Sequence, residues 1–224
     1  MLRTASGGVQ SRPEVRDLSR TTDSSTPHSP AAPLRMTYEE FLRAYDGRNA
    51  EWVEGEVIEM SPTSWENQKL ADFLTAILTH FVETQEAGVI LSSRFQMKTS
   101  ARQAGREPDV LFLAERNRGR LRKNHLDGPA DLAVEIVSPD SVTRDRVEKY
   151  REYEAGGVCE YWLIDPDQRH AEFFGLGDDG RYRPLPVDRE GVFRSVVLDG
   201  LWLKTEWLWQ RPTLMAVLKA WGQV

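Results

Sequence analysis

The stretch "DLAVEIVSPDSVTRDRVEKYREYEAGG", residues 131–157, decides how the chain is read. Its first half is almost continuously apolar, as a central strand is when both of its faces are covered. Its second half reads as a helix from about Thr143 to Ala155, stopped by Gly156-Gly157. Glu135 stands in the middle of the strand, within "AVEIV". A carboxylate there is costly to bury without a partner, so the strand must bring one to it.

Outward from that stretch the pattern alternates. On the N-terminal side, "PDVLFLA" is a short apolar strand beginning at Pro108, and "VILSSRFQMKT" holds one or two strands. Before these, Leu70, Phe73, Leu74, Ile77, Leu78, Phe81 and Val82 recur with helical period. Thr63 and Glu66 have the spacing of a capping box at the start of that helix, and Gly88 marks its end. "EWVEGEVIEMS" reads as a strand with a turn near Gly55, and a short helix is expected from about Tyr38 to Tyr45. On the C-terminal side, "CEYWLID" and "AEFFGL" are expected to pair across "PDQR". Short β segments follow, then a final helix from about Pro212 to Trp221. No internal repeat is visible. The expected class is α/β, bordering on α+β, with a mixed central sheet flanked by helices.

Composition narrows the function classes. The chain has 224 residues, 40% of them hydrophobic, with seven tryptophans, which allows one domain with a sizeable core. The formal net charge is −6, so a general basic coat for nucleic acid is absent, although a local basic patch is not excluded. The single cysteine, Cys159, can form no internal disulfide. No apolar run is long enough to span a bilayer, and the N-terminus lacks the apolar core of a secretory signal. These features lead to the expectation of a soluble cytoplasmic protein. Residues 1–35 are rich in Ser, Thr, Pro and Arg and are expected to be a disordered tail, with residues 36–224 as the single domain. Met36 opens the helix-like "MTYEEFLRAY" and is a candidate natural start.

Three residues form a candidate constellation: Asp109 at the mouth of one strand, Glu135 inside the next, and Lys149 in the helix that follows. Two carboxylates on neighbouring strands can converge on a hard cation such as Mg²⁺, which takes oxygen ligands and completes its shell with water and phosphate. The Ile136 carbonyl could add another oxygen. Such a metal can activate water, and an ammonium nearby can steady a phosphate. Each residue also has an ordinary reading. Asp109 could shape a turn, Glu135 could pair with an arginine, and Lys149, four residues after Asp145, could form a surface pair.

In combination, "EPDVLFL", "DLAVEIVSP" and "RDRVEKYREYEAGGVCEYWLIDP" resemble the Uma-two family of predicted endonucleases, in the restriction-endonuclease-like PD-(D/E)xK superfamily. The resemblance covers about residues 37–175, and "AEWVEGEVIEMSP" resembles the family's opening strand. It implies a mixed sheet flanked by helices and a Mg²⁺- or Mn²⁺-dependent nuclease site. By this match Asp109 and Glu135 are the acidic metal ligands. The superfamily's usual lysine position is Val137, and Lys149 takes its place from the helix. Asp145 and Glu56 are candidate supporting residues, with Glu51 or Glu56 facing the site; Asp145 is assigned to holding Lys149 or a basic neighbour. Relatives often carry a histidine where this chain has Asn67. Between the two acidic motifs, "ERNRGRLRKNH" supplies Arg116, Arg118, Arg120, Arg122 and Lys123 as candidate nucleic-acid contacts, with a solvated surface loop as the ordinary reading. The late tryptophans are read as core or subunit interface.

The expected function is metal-dependent phosphodiester hydrolysis, as a DNA endonuclease. The alternative is a non-catalytic nucleic-acid-binding or protein-interaction module that keeps the nuclease fold. The expected partner is nucleic acid, DNA before RNA, and a homodimer is expected by fold-level analogy.

Overall fold

The computed structural model describes residues 35–92, 95–99 and 103–224. The expected tail, except for Arg35, lies outside the described residues.

Helix α1, Tyr38–Ala44, starts at a full capping box: Glu40 N–H donates to the Thr37 side chain, and Thr37 N–H donates to the Glu40 carboxylate. Strands β1, Ala50–Val53, and β2, Glu56–Glu59, form a hairpin. Glu54 and Gly55 both have positive φ, as a tight two-residue hairpin turn requires. Helix α2 runs Trp65–Thr84. Its cap is Ser64, one residue later than the expected Thr63, and the Ser64 hydroxyl accepts from Asn67 N–H. The helix ends at Gln85, short of Gly88. Gly88 instead opens strand β3, Gly88–Ser92, where φ is 153° and a Cβ would collide with the Leu113 carbonyl.

The expected strands at "PDVLFLA", "ADLAVEIVS", "CEYWLID" and "AEFFGL" form the main sheet. With β4 (Gln96–Thr99), β5 (Ala104–Arg106) and β7 (His125–Asp127) counted in chain order, they are β6 (Val110–Ala114), β8 (Leu132–Ile136), β9 (Glu160–Asp165) and β10 (His170–Leu176). Strand β11, Tyr182–Pro184, completes a six-stranded sheet in the order β11-β10-β9-β8-β6-β3. Only β8 and β9 run parallel in it, so the sheet is mixed.

The mixed sheet expected from sequence is present, and two further sheets accompany it. Strands β2-β1-β5-β4-β7 form a separate five-stranded sheet, and β12 (Val192–Arg194) with β13 (Trp202–Lys204) form a small hairpin. Of these five strands, β1, β2 and β4 fall in segments expected as strands, whereas β5 and β7 are three residues each and carry no apolar alternation.

Alternation along β8 divides the core. Leu132, Val134 and Ile136 face α2 and the C-terminal elements, among which Trp207 is buried and Trp202, Trp209 and Trp221 are packed. Helix α4, Trp207–Gln210, precedes the last helix, α5, Leu214–Ala220. The tryptophans therefore fill core, as their burial requires. Ala133, Glu135 and Val137 face the opposite way, toward the helix after β8. That helix is not uniform. Arg144–Lys149 is a π-helical turn, and α3 proper runs Tyr150–Gly156, closed by Gly157 in the left-handed region.

Candidate active site

Strands β6 and β8 are antiparallel, with Val110 opposite Val134, so Asp109 and Glu135 fall side by side at one end of the pair. The Asp109 carboxylate accepts the Ile136 N–H at 2.7 Å, which ties the two strand ends together. Val137, on the same face as Glu135, is buried in apolar packing. The lysine that cannot stand at Val137 comes from the π-helical turn above that face. Lys149 Nζ donates to Glu135 Oε2 at 2.8 Å. The partner of Glu135 in the folded chain is thus Lys149, joined by Tyr153, whose hydroxyl donates to Glu135 Oε1 at 2.6 Å.

Lys149 is only 2% exposed and lies among three carboxylates, with Glu51 at 2.9 Å and Asp145 at 3.4 Å completing the set. Glu51 reaches it from β1. The other oxygen of Glu51 accepts from Arg106 Nη1 at 2.7 Å, and Arg106 is clamped by both oxygens of Glu152 at 2.7 and 2.8 Å. Arg106, Glu51 and Glu152 have side chains wholly removed from solvent. The network therefore fastens the second sheet, through β1 and β5, to α3 and to the end of β8.

Negative charge is in excess here. Asp109, Glu135, Asp145, Glu51 and Glu152 meet two buried cations, Lys149 and Arg106, with Arg144 at the edge. Burial pushes Glu135 up to about 8, with Asp145, Asp109 and Glu51 adding like charge and Lys149 opposing. Burial likewise pushes Asp109 up to about 6 against the Ile136 N–H and Lys149. Burial would also raise Glu51, but Lys149 and Arg106 outweigh it and hold the carboxyl down to about 2. Burial would strip Lys149 of its proton, yet the surrounding carboxylates keep the ammonium charged beyond its ordinary range. Asp145 Oδ1, fully removed from solvent, has no hydrogen-bond partner.

These observations fit a divalent cation at Asp109 and Glu135. Two carboxylates whose ionisation is resisted by burial and like charge are what a hard cation relieves. An oxygen set of one or two carboxylates with a backbone carbonyl suits Mg²⁺ or Mn²⁺. Among the described residues no group of three or more His, Cys, Asp or Glu is arranged around a common metal position. A cation that shares its shell with water and phosphate does not need one.

Asp109, Glu135, Ile136, Asp145 and Lys149 lie on the wall of an open cleft of about 930 Å³. Its other wall is the chain from Glu59 to Gln68, at the start of α2. Asn67, which replaces the expected histidine, donates its amide to the Val137 carbonyl at 3.1 Å and so pins α2 to the end of β8.

Other expected residues fall elsewhere. Glu56 is on β2, partly exposed, and pairs with Arg35 at 2.6 Å; Glu51, not Glu56, enters the site. The basic loop is at the other end of β6 from Asp109. Strand β6 carries the chain away from Asp109 for five residues, roughly 17 Å of extended backbone, before the loop begins. There Arg116 pairs with Asp131 at 2.7 Å, Arg118 with Glu115, Arg120 donates to the Pro129 carbonyl, and Arg122 donates to the Gly119 carbonyl. Lys123 belongs to the same loop, and none of the five residues lines the cleft. The loop lies away from the cleft because an antiparallel β6–β8 pair sends its connection to the end opposite the carboxylates. Sequence reading missed Arg106, Glu152 and Tyr153. The last two had a signal, since they lie three and four residues after Lys149 on one helical face. Arg106 had none, being in a three-residue strand.

The residues 38–206 match the family model Uma2, described as "Putative restriction endonuclease". No curated protein matches the chain. Among solved structures, the chain is similar to one described as "a putative nuclease belonging to DUF820" from Anabaena variabilis ATCC 29413. That match has a TM-score of 0.66 at 16% identity, covering 78% of this chain and 98% of that one, so the two share a fold. The described residues hold no helix long and apolar enough to cross a membrane. With the family model spanning most of the folded residues, from α1 to the start of α4, this chain belongs to the Uma2 family.

Proposed function

We propose that the chain hydrolyses phosphodiester bonds as a Mg²⁺- or Mn²⁺-dependent DNA endonuclease. The observation that carries this reading is the pairing of Asp109 and Glu135 at one strand end, on the wall of an open cleft, with the Lys149 ammonium 2.8 Å from Glu135. Asp109 and Glu135 would hold the cation, which when bound supplies Lewis acidity and a water of lowered pKa. Asp109 is oriented by the Ile136 N–H, and Tyr153 fixes one oxygen of Glu135. Lys149, anchored by Glu51 and Asp145, keeps a positive charge at the cleft wall without needing to move. Such pre-set charge is what a phosphoryl transition state uses.

Asp109→Ala and Glu135→Ala are expected to abolish Mn²⁺-dependent cleavage of DNA and to remove a Mn²⁺-induced rise in melting temperature. Retained cleavage by either variant rejects its assigned role. The saturation of both Glu135 oxygens by Lys149 and Tyr153 favours a second reading, a non-catalytic module built on the same fold. A wild-type protein that binds DNA but shows neither cleavage nor a Mn²⁺ shift supports that reading instead.

A further inference from the structure

With the basic loop at the far end of the sheet, the positive charge for a bound phosphate must come from another place. Among the described residues, the cleft is lined by many acids but only two cations, Lys149 and Arg144. Lys149 is enclosed by three carboxylates and is 2% exposed. Arg144 differs in each respect. It opens the π-helical turn and keeps 18% of its side chain exposed. Its Nε stands 3.9 Å from Glu51 and 4.0 Å from Asp145, beyond hydrogen-bonding range. That Nε is shielded from solvent and has no hydrogen-bond partner. The whole guanidinium makes no hydrogen bond among the described residues.

A guanidinium donor removed from water and left unpaired is costly, and the missing partner is an oxygen acceptor. Glu51 and Asp145 stand at ion-pair distance and hold the side chain at the cleft, yet neither accepts a hydrogen bond from its Nε. A planar fork of N–H groups matches two oxygens of a phosphate. Glu51 bridges Lys149 on one oxygen and lies near Arg144 on the other, so the two cations stand one carboxylate apart. We propose that Arg144 is a catalytic residue that grips the non-bridging oxygens of the scissile phosphodiester. The proposal rests on the nuclease reading above and adds the group that recognises the substrate's charge.

The test compares wild type, Arg144→Met and Arg144→Lys in single-turnover cleavage of a DNA duplex with Mn²⁺. A second duplex carries an uncharged methylphosphonate at the cleaved position. On the natural duplex, Arg144→Met is expected to lose about 100-fold or more in rate, the usual loss when one donor to a developing oxyanion is removed. Arg144→Lys is expected to recover part of the rate, because an ammonium restores charge but not the fork. On the methylphosphonate duplex the gap between wild type and Arg144→Met is expected to collapse, whereas a purely structural arginine would leave the gap unchanged. Mn²⁺ affinity, measured by calorimetry, is expected to be the same in all three proteins. If wild type cleaves and Arg144→Met cleaves within about threefold of it, Arg144 does not grip the phosphate and the nuclease reading stands. An undiminished gap on the neutral duplex also overturns the proposal. If wild type cleaves neither duplex with Mn²⁺, nor with Mg²⁺ in its place, the nuclease reading fails, and this proposal with it. Should Arg144→Met melt early, the Lys variant on the two duplexes decides alone, by the same collapse of its gap to wild type.

Discussion

Glu135 on β8 and Glu160 on β9 are both buried glutamates on adjacent parallel strands of one sheet. Burial raises the pKa of each above the ordinary carboxylate value. Their surroundings differ. Glu160 is met by neutral donors: Trp162 Nε1 at 2.6 Å, the Ser195 hydroxyl at 3.0 Å, Val196 N–H at 2.7 Å and Val197 N–H at 3.1 Å. Its two oxygens are saturated, and its work is to pin the loop before β13. Glu135 is met by Lys149 and Tyr153, stands among other carboxylates, and lines a cleft. A buried carboxylate satisfied by dipoles is an anchor. A buried carboxylate set among other charges on the wall of an open cleft is the one suited to chemistry.

Perturbations of four kinds test this contrast. The largest effect is expected at Arg106, the cation that makes the charged network tolerable. Arg106→Met leaves Glu51 and Glu152 buried against each other and is expected to cost about 3–5 kcal/mol, read from urea unfolding. Next is Glu160→Ala, which strands the Val196 N–H and the Trp162 indole donor. A loss of at least about 2 kcal/mol is expected in the same assay. In the metal-free protein, Glu135→Gln is expected to change stability by under about 1 kcal/mol, because it removes one of the competing negative charges. A cost for Glu135→Gln equal to that of Glu160→Ala would make Glu135 a second anchor and end the contrast.

The third effect is on pH. Glu135 is raised from 4.5 to about 8, so its proton is bound more tightly in the folded state. The stability this gives is complete below about 4.5 and is lost as pH rises through about 8. Glu51, lowered from 4.5 to about 2, acts in the opposite sense. Its contribution is present above 4.5 and is lost as pH falls toward 2. Melting temperatures of the metal-free protein should therefore decline from mildly acidic to mildly alkaline pH, and Glu135→Gln should flatten that decline. A flat wild-type profile would show that Glu135 is ionised without strain. The smallest effect is expected at the far end of the sheet. Neutralising Arg118, Arg120 and Arg122 together is expected to leave DNA affinity within about twofold, since the loop is on the other end of β6 from the cleft.

Much of this molecule is legible along the chain. The apolar runs of β6, β8 and β9, the period of α2 and the double glycine at the end of α3 each declare themselves, because burial on both faces or one face writes itself into residue type. Asp109, Glu135 and Lys149 could be singled out because each breaks its local pattern or sits in a familiar order. The five-stranded sheet could be read only in part, since β5 and β7 have no pattern long enough to carry a period. The choice between Glu51 and Glu56 could not be read, since they differ only in which way a strand turns them. The placement of the basic loop depended on strand direction, and that no composition reveals.

Local pattern along the chain thus carries the main strands, the long helix, the family resemblance and the three residues around which the candidate site is drawn. These follow from local periodicity and from charges set where apolar residues are expected. Only the tertiary structure decided that Lys149 would be caged by Glu51, Glu135 and Asp145, that Arg106 would fasten the cage from a separate sheet, and that Arg144 would be left at the cleft with an unpaired donor. Those contacts join residues up to ninety-eight positions apart, from Glu51 to Lys149, and only the meeting of two sheets and a helix brings such charges into register.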